Sequence, residues 1–542
     1  MFYYKDLREY IKTLEKEGQL IRVTREVNKD TELIPLVRLQ YRGLSEEQRR
    51  AFIFENVVDA KGVAYRSPVA VSTLAGSTKI YSIGMMCKPE EIEEKRVYAE
   101  RNPYEPKLVS SGMVHEEIHI GDSLLEHGGL DEFPIPISTP GFDPSPGMTA
   151  PFWITRDPET GIRNVGCYRA LLKSPTRTGL DFCAQTKGIA LHWNKCREKG
   201  IPMQAAIVIG GPPSIGYVAS TGYPIDKDEL AVAGGIAGEP LEVVKCKTVD
   251  IEVPAHAEII IEGEVSTTEL EPEGAFGESV GIMSLEQPRP YFTVTCITHR
   301  KNPIWLAMIS QFQPSESSKI RYHGSNSAVY KHLKYDLRFE NVLKVANHEM
   351  ADSNLFTVVQ LKNPKTDEVW QILEAINKFW KDCKIVIAVD DDINPDDLEM
   401  VIFALAHRFQ PHRDTCITSR KTQQLTDPSL ATMEVLEKLR AESNPDMPER
   451  SQLLIDATRK WPYPPVSLPA REFMERAMDI WKEEGFPPLK LRQPVWGTNL
   501  GYWGQDDKRK AEWALKGEYS RTGELQSSRR MPAGPHFCLW KE

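Results

Sequence analysis

The sequence predicts a multidomain α/β (α+β) chain, because its apolar periodicity changes twice along its length. A small mixed segment comes first, then a run of short strands, then an alternation of strands and helices. At 542 residues the chain exceeds what one compact core organises, so two or three domains are expected. Hydrophobic residues at 41% and charged residues at 27% match an ordinary soluble protein.

The opening is helical. Leu7, Tyr10, Ile11 and Leu14 recur at i, i+3, i+4 and i+7, and Gly18 stands where such a helix would stop. Residues 20–23 read as a strand, 28–58 as a helix followed by the short strand 52–54, and 88–106 as a charged helix and loop. Residues 1–118 are therefore expected to form a small N-terminal α/β domain. Between 131 and 151 prolines crowd together and mark an irregular, stiff connection. Short apolar runs follow at 152–155, 165–172, 204–209, 252–262, 291–298 and 304–309, separated by glycine, proline and charged turns. That spacing suggests a β-barrel or sandwich over 119–325.

The period then lengthens. A strand at 356–361 precedes a helix at 367–380 with Val369, Ile372, Leu373 and Ile376 on one face. An apolar strand at 384–389 ends in Asp390, Asp391 and Asp392; a helix at 395–409 and a strand at 415–418 follow. This alternation implies right-handed crossovers and a parallel sheet in a C-terminal α/β domain at 340–460. The tail, 461–542, carries prolines, tryptophans and basic pairs, and is expected to wrap over the surface or over a neighbouring subunit.

A formal charge of −10 argues against nucleic acid as the main partner. No run of about 18 apolar residues offers a membrane span. The start, MFYYKDLREY, is charged at once and lacks an apolar signal core. Nine scattered cysteines without a CxxC pair suggest reduced thiols in a cytoplasmic protein.

The stretch with most chemical promise is Glu271–Glu278, E-P-E-G-A-F-G-E, which follows an alternating run at 253–265. Two carboxylates, Glu273 and Glu278, flank Gly274 and Gly277, residues that let a chain bend or approach a ligand closely. An acidic glycine turn is the commoner explanation of such a string. It gains weight beside N-V-G-C-Y-R at 164–169 and D-E-L-A-V-A-G at 228–234. Arg169 offers a planar fork for a carboxylate or phosphate, and Asn164 and Glu229 are hard oxygen ligands suited to Mg²⁺ or Mn²⁺ beside a phosphate. Plain readings remain beside these: Arg169 as a surface cation on a strand, Glu229 as the first-turn acid of a helix, and the acidic stretch as a loop.

Those strings resemble the UbiD family of prenylated-FMN-dependent (de)carboxylases. DLREYIKTLEKEGQLIRV, NVGCYR, DELAVAGG, EPEGAFGE, YFTVTCITHR, KIVIAVDDDINPDD and DATRKWP occur in the family's order across residues 3–461. The resemblance implies an N-terminal α/β domain, a split β-barrel that binds the flavin, and a C-terminal α/β domain that mediates oligomers, either a dimer or a hexamer. It places the family's catalytic Glu-Arg-Glu set on Glu273, Arg169 and Glu278, with Glu278 as proton donor. It assigns Asn164 and Glu229 to the divalent metal (Mn²⁺ or similar), with K⁺ also at the flavin phosphate. Asn164, Cys167, Tyr168, Arg169, Gln185, Thr186, Ser220, Thr221 and Glu229 would contact the cofactor, which a flavin prenyltransferase would supply. One departure stands out: Thr186 occupies the position where the family carries a metal-binding histidine, with His192 the nearest substitute. Ala275 replaces a usual proline.

The implied activity is reversible decarboxylation of an aromatic, heteroaromatic or α,β-unsaturated acid, or of its coenzyme A thioester, through a covalent adduct with prenylated FMN. The alternative is a non-catalytic scaffold subunit of a larger carboxylase, which only the altered histidine supports. Other motifs favour structural roles. His115 and His119 have i, i+4 spacing, but V-H-E-E-I-H-I alternates like a strand edge. Residues 210–216 lack the lysine of a phosphate-binding loop, and Asp390–Asp392 suits a structural or interface role.

Overall fold

The computed structural model describes residues 3–182, 188–422, 427–442 and 446–532. The first helix, Leu7–Lys16, starts where the Asp6 side chain accepts the Glu9 backbone N–H, and it buries Leu7, Tyr10, Ile11 and Leu14 as their spacing predicts. It packs beside a five-stranded sheet ordered Leu20–Asn28, Ala51–Val58, Val69–Val71, Trp305–Ala307, with Ala64–Tyr65 paired on Ala51–Val58. The run at 304–309 therefore leaves the barrel segment and pairs in parallel with Val69–Val71 of the N-terminal sheet.

The middle of the chain forms a nine-stranded sheet that curls into a half-barrel. Its order is Gly147–Met148, Ala170–Ser174, Arg177–Gly179, Tyr291–His299, Ile259–Val265, Met203–Ile209, Phe152–Arg156, Arg163–Cys167. Glu117–Ile120 pairs with the far half of Tyr291–His299, so the expected boundary at 118 cuts through a strand. The run at 252–262 divides: Glu252–Pro254 joins Glu242–Lys245 and Lys107–Leu108, and only Ile259–Val265 enters the half-barrel. Pro254 has no backbone donor to carry the ladder onward. Helices Gly188–Glu198, Pro213–Ala219 and Glu229–Ala237 lie in this segment too. One continuous core runs through the N-terminal sheet and the half-barrel, from Leu7 and Phe54 to Trp153, Ile207 and Trp305.

Helix Glu316–Lys331 spans the expected boundary at 325. Its sequence, ESSKIRYHGSNSAVYK, has no apolar stripe, yet Glu316, Lys319, His323 and Asn326 are all buried. Tertiary partners satisfy the two charged residues Glu316 and Lys319: Glu316 accepts backbone N–H groups of Ser72, Leu74 and Ile309, and Lys319 bridges Glu46 and Glu349.

The C-terminal sheet is ordered Val342–Asn347, Phe356–Leu361, Ile385–Asp390, Glu449–Asp456, Thr415–Lys421. Its three central strands are parallel, as the alternation predicts, but both edges are antiparallel. The parallel expectation fails for the strand at 415–418 because Glu449–Asp456 inserts between it and Ile385–Asp390. In the tail, helices Arg471–Glu483, Gln505–Leu515 and Tyr519–Ser528 bury no residue. The segment between the first two of them touches the body through exposed pairs, Lys490 with Glu47 and Arg492 with Glu399. Among the described residues no helix is long and apolar enough to cross a membrane.

Candidate functional site

Arg169 sits between strands Arg163–Cys167 and Ala170–Ser174, with its side chain 11% exposed. Its guanidinium meets three carboxylates. Nη1 donates to Glu278 Oε1 at 2.5 Å, Nη2 lies 2.5 Å from Asp181 Oδ2, and Nε lies 3.7 Å from Glu273 Oε1. The ring of Phe276 stands 5.3 Å from the guanidinium carbon. Asp181 also accepts from Arg289 Nε at 2.9 Å.

The acidic stretch is more ordered than a loop. Glu271–Glu273 pairs antiparallel with Gln287–Arg289, and Gly277 bridges to Met283. Its glycines are needed for close approach: a Cβ on Gly274 would meet Pro144 at 2.4 Å, and one on Gly277 would meet Gln311 at 2.3 Å. The hairpin thus presses Glu273 inward, to 2% exposure, and leaves Glu278 partly open.

Two guanidiniums, Arg169 and Arg289, face three carboxylates, so charge balance favours a proton on one of them. Glu273 is the one with the least support. Among the described residues neither of its oxygens accepts a hydrogen bond. Burial pushes it up to about 7, with Asp181 adding to the rise and Arg169 opposing it.

A second group of predicted residues gathers on the neighbouring strand. Asn164 is 8% exposed, and its Nδ2 has no hydrogen-bond partner among the described residues. Glu229 opens helix Glu229–Ala237, is buried, and accepts the Val165 backbone N–H at 3.0 Å. Burial pushes Glu229 up to about 8, as expected of a buried carboxylate with no facing cation among the described residues. The Tyr168 hydroxyl reaches the Asn164 side chain. Gly188 leaves room for that amide: a Cβ there would meet Asn164 Oδ1 at 1.9 Å. The Asn164 amide oxygen and the buried Glu229 carboxylate are hard oxygen donors of the kind that fit a divalent cation.

The other predicted contacts divide. Cys167 Sγ faces the Thr149 carbonyl at 3.8 Å, and burial raises its thiol to about 12, so it packs as a neutral group. Ser220 closes helix Pro213–Ala219, and Thr221 Oγ1 accepts from Arg96 Nη2 at 2.6 Å. Gln185 and Thr186 lie outside the described residues. His192 is buried in helix Gly188–Glu198, with Nδ1 2.9 Å from Thr155 Oγ1; no described contact ties it to Asn164 or Glu229.

Sequence reasoning missed three charged residues here. Asp181 and Arg289 follow no periodic signal; only the fold brings them to Arg169. Arg96 is 4% exposed and reaches Tyr81 Oη at 2.5 Å and Tyr223 Oη at 3.3 Å besides Thr221. A buried guanidinium among hydroxyls, next to the turn expected at a phosphate, suits an anion. A cavity of about 460 Å³ adjoins the hairpin, lined mostly by apolar side chains such as Ile34, Phe142, Ile282 and Met283, with Arg38 and Arg42 on one wall.

One family model spans the Arg169 cluster together with Asn164 and Glu229, and a second matches the C-terminal sheet beyond it. Residues 108–312 match the 3-octaprenyl-4-hydroxybenzoate carboxy-lyase Rift-related domain, and 326–457 match the C-terminal domain of the same family. A protein of Archaeoglobus fulgidus is 31% identical over 480 residues, 84% of this chain and 92% of its own. The phenolic acid decarboxylase of Bacillus subtilis is 29% identical over 429 residues, 76% of this chain and 87% of its own. In three dimensions the chain is similar to an evolved dimeric form of HmfF from Pelotomaculum thermopropionicum, solved in complex with prFMN. The TM-score is 0.74 at 28% identity, covering 88% of this chain and all of that one.

Proposed function

We propose, for a chain that belongs to the UbiD family of carboxy-lyases, that its half-barrel holds prenylated FMN and decarboxylates an aromatic, heteroaromatic or α,β-unsaturated acid reversibly. The family and its relatives act on aromatic acids as (de)carboxylases, and this chain is an enzyme of that class. The observation that carries the finer reading is the Arg169 guanidinium, held by Asp181 and by Glu278, whose hairpin lines a largely apolar cavity through Gly277, Ile282 and Met283. A scaffold subunit has no use for such an arrangement.

When bound, the prenylated flavin supplies the electrophilic centre that accepts the electron pair released with carbon dioxide. The chain's own residues place the substrate and manage protons. Arg169 presents its fork to the substrate carboxylate. Glu278, the more open carboxylate, delivers the proton that replaces carbon dioxide. Glu273, buried and raised to about 7, can carry a proton at neutral pH and so balance the cluster's charge around Arg169. Asn164 and Glu229 would hold Mn²⁺ or a similar divalent ion at the flavin phosphate, with K⁺ alongside, and Arg96 with Thr221 would meet the phosphate oxygens. A flavin prenyltransferase would supply the cofactor. The exposed apolar residues of the tail, Phe473, Trp481, Phe486 and Trp503 among them, favour a homo-oligomer, a dimer or a hexamer, in the cytoplasm.

Visible spectroscopy and mass spectrometry of the bound flavin test this, followed by a screen of aromatic acids and their coenzyme A thioesters for carbon dioxide release. Wild type should carry prenylated flavin and divalent metal together, and Glu229→Ala should lose both. Full flavin content in Glu229→Ala would overturn the metal assignment.

A further inference from the structure

The half-barrel holds a second cluster of metal-binding groups, remote in sequence from Asn164 and Glu229. His119 lies on the edge strand Glu117–Ile120, which pairs antiparallel with Tyr291–His299. His119 stands opposite Ile297, so His299, two residues on, points to the same sheet face. The short helix Asp122–Glu126 then ends at His127, and Gly128 and Gly129, both at positive φ, turn the chain so that Glu132 returns to the two histidines. One donor atom each from His119, His127 and Glu132 lies within 4.8 Å of the others.

The plain alternative is a hydrogen-bonded histidine–carboxylate network. Its geometry is poor here. His119 Nδ1 comes within 3.0 Å of Glu132 Oε2, and His299 Nε2 within 3.6 Å of Glu132 Oε1. Yet among the described residues His119 Nδ1, Glu132 Oε2 and His299 Nε2 all lack a hydrogen-bond partner. Lone pairs of the two histidines thus face the two oxygens of one carboxylate without a well-aligned hydrogen bond. His299 Nδ1 meets the Arg300 carbonyl at 2.8 Å, which places the proton on Nδ1 and turns the Nε2 lone pair towards Glu132. A tetrahedral zinc with bonds of about 2.0–2.2 Å sets its donor atoms roughly 3.3 Å apart, between the two distances seen. His127 stacks on His119 at 3.9 Å and is exposed, so its ring can tilt to complete the shell and leaves a path for the ion.

We propose that His119, His127, Glu132 and His299 form a structural site for a borderline-soft divalent ion, Zn²⁺ foremost, distinct from the hard oxygen site at Asn164 and Glu229. Three imidazoles and one carboxylate suit zinc over magnesium or manganese. Four protein ligands close the shell, so the ion would tie the edge strand to the turn that leads into the proline-rich segment. That segment supplies Ser138, Thr139, Pro140 and Phe142 to the cavity wall.

The test uses the full chain, dialysed against a chelator and then titrated with Zn²⁺, with Co²⁺ as the visible probe. Wild type and Glu229→Ala should each bind one equivalent with the absorption of tetrahedral cobalt. His127→Ala, at an exposed position where the fold should survive, and the isosteric Glu132→Gln should bind it more weakly. The loss should exceed the roughly 10–100-fold that removal of an outer-shell partner costs. Absence of cobalt absorption in folded Glu229→Ala overturns the site, and so does wild-type affinity in both His127→Ala and Glu132→Gln.

Discussion

Two largely buried arginines, Arg169 in the half-barrel and Arg408 in the C-terminal domain, are each surrounded by carboxylates, but the matching differs. Arg408 donates to Asp390 at 2.7 Å and reaches both oxygens of Asp392, at 2.8 and 2.7 Å. Asp390 also accepts the Arg459 backbone N–H at 2.9 Å, and Arg459 Nη2 lies 3.6 Å from Asp391. Every carboxylate of that triplet thus has a cation, and the group pins a strand end to the following helix and to the chain after Glu449–Asp456. Around Arg169 one carboxylate, Glu273, has no hydrogen bond among the described residues, and the hairpin that carries it lines an apolar cavity. Complete matching marks a cluster that holds the fold. A buried group left poised between protonation states, beside open space, marks one that can act on a ligand.

Substitutions should separate the two clusters. The largest effect is expected at Glu278: Glu278→Gln keeps size and hydrogen bonding but loses the acidic proton, so turnover should fall by about 10²–10⁴-fold with flavin content retained. Arg169→Ala should lose both activity and flavin. Exchange of the product's ring proton with deuterated solvent checks the assignment independently; a wild-type exchange rate in Glu278→Gln would pass the role to Glu273. Arg408→Ala should behave in the opposite way. Removing one partner of a buried ion cluster costs about 3–5 kcal/mol, so denaturant unfolding should shift strongly while turnover per folded molecule stays unchanged.

The pH dependence should differ in sign. Glu273 sits at about 7 in the folded chain against an ordinary 4.5, so the native state binds its proton more tightly than the unfolded chain. Its contribution is fully present below the ordinary value and is lost as pH rises towards about 7, a change of at most about 3 kcal/mol. Glu273→Gln should remove that slope, and parallel urea titrations at about pH 5 and about pH 8 would detect it. Asp392 runs the other way. Burial alone would raise it, but the Arg408 fork outweighs burial and holds it below its ordinary value. Its stabilisation is therefore present at neutral pH and lost on acidification. Identical slopes for Glu273→Gln and wild type would erase the distinction.

The smallest effect on the half-barrel is expected from the tail. Truncation after residue 465 removes three helices that bury nothing and should weaken assembly more than it lowers the unfolding midpoint. Light scattering at micromolar concentration measures the first, and a monomeric full-length chain would contradict the oligomer.

Much of this was legible in the residues themselves. The first helix, the strands at 204–209 and 384–389 and the helix at 367–380 declare themselves through short-range spacing, whereas the strings around Arg169, Glu229 and Glu273 stand out through their resemblance to a known family. Periodicity is a property of neighbours along the chain, and a side chain's type is present wherever the chain goes. The tertiary structure alone decided which partners meet. It brought Arg169 to Glu278 across 109 residues and Arg289 to Asp181 across 108. It moved Trp305–Ala307 into the N-terminal sheet and drove Glu449–Asp456 between two expected neighbours. It buried the polar helix Glu316–Lys331 and gathered His119, His127, Glu132 and His299 at one sheet edge. Charge compensation and metal-like convergence depend on distances of a few ångströms between residues far apart in sequence, and only the packing of the whole chain sets those distances.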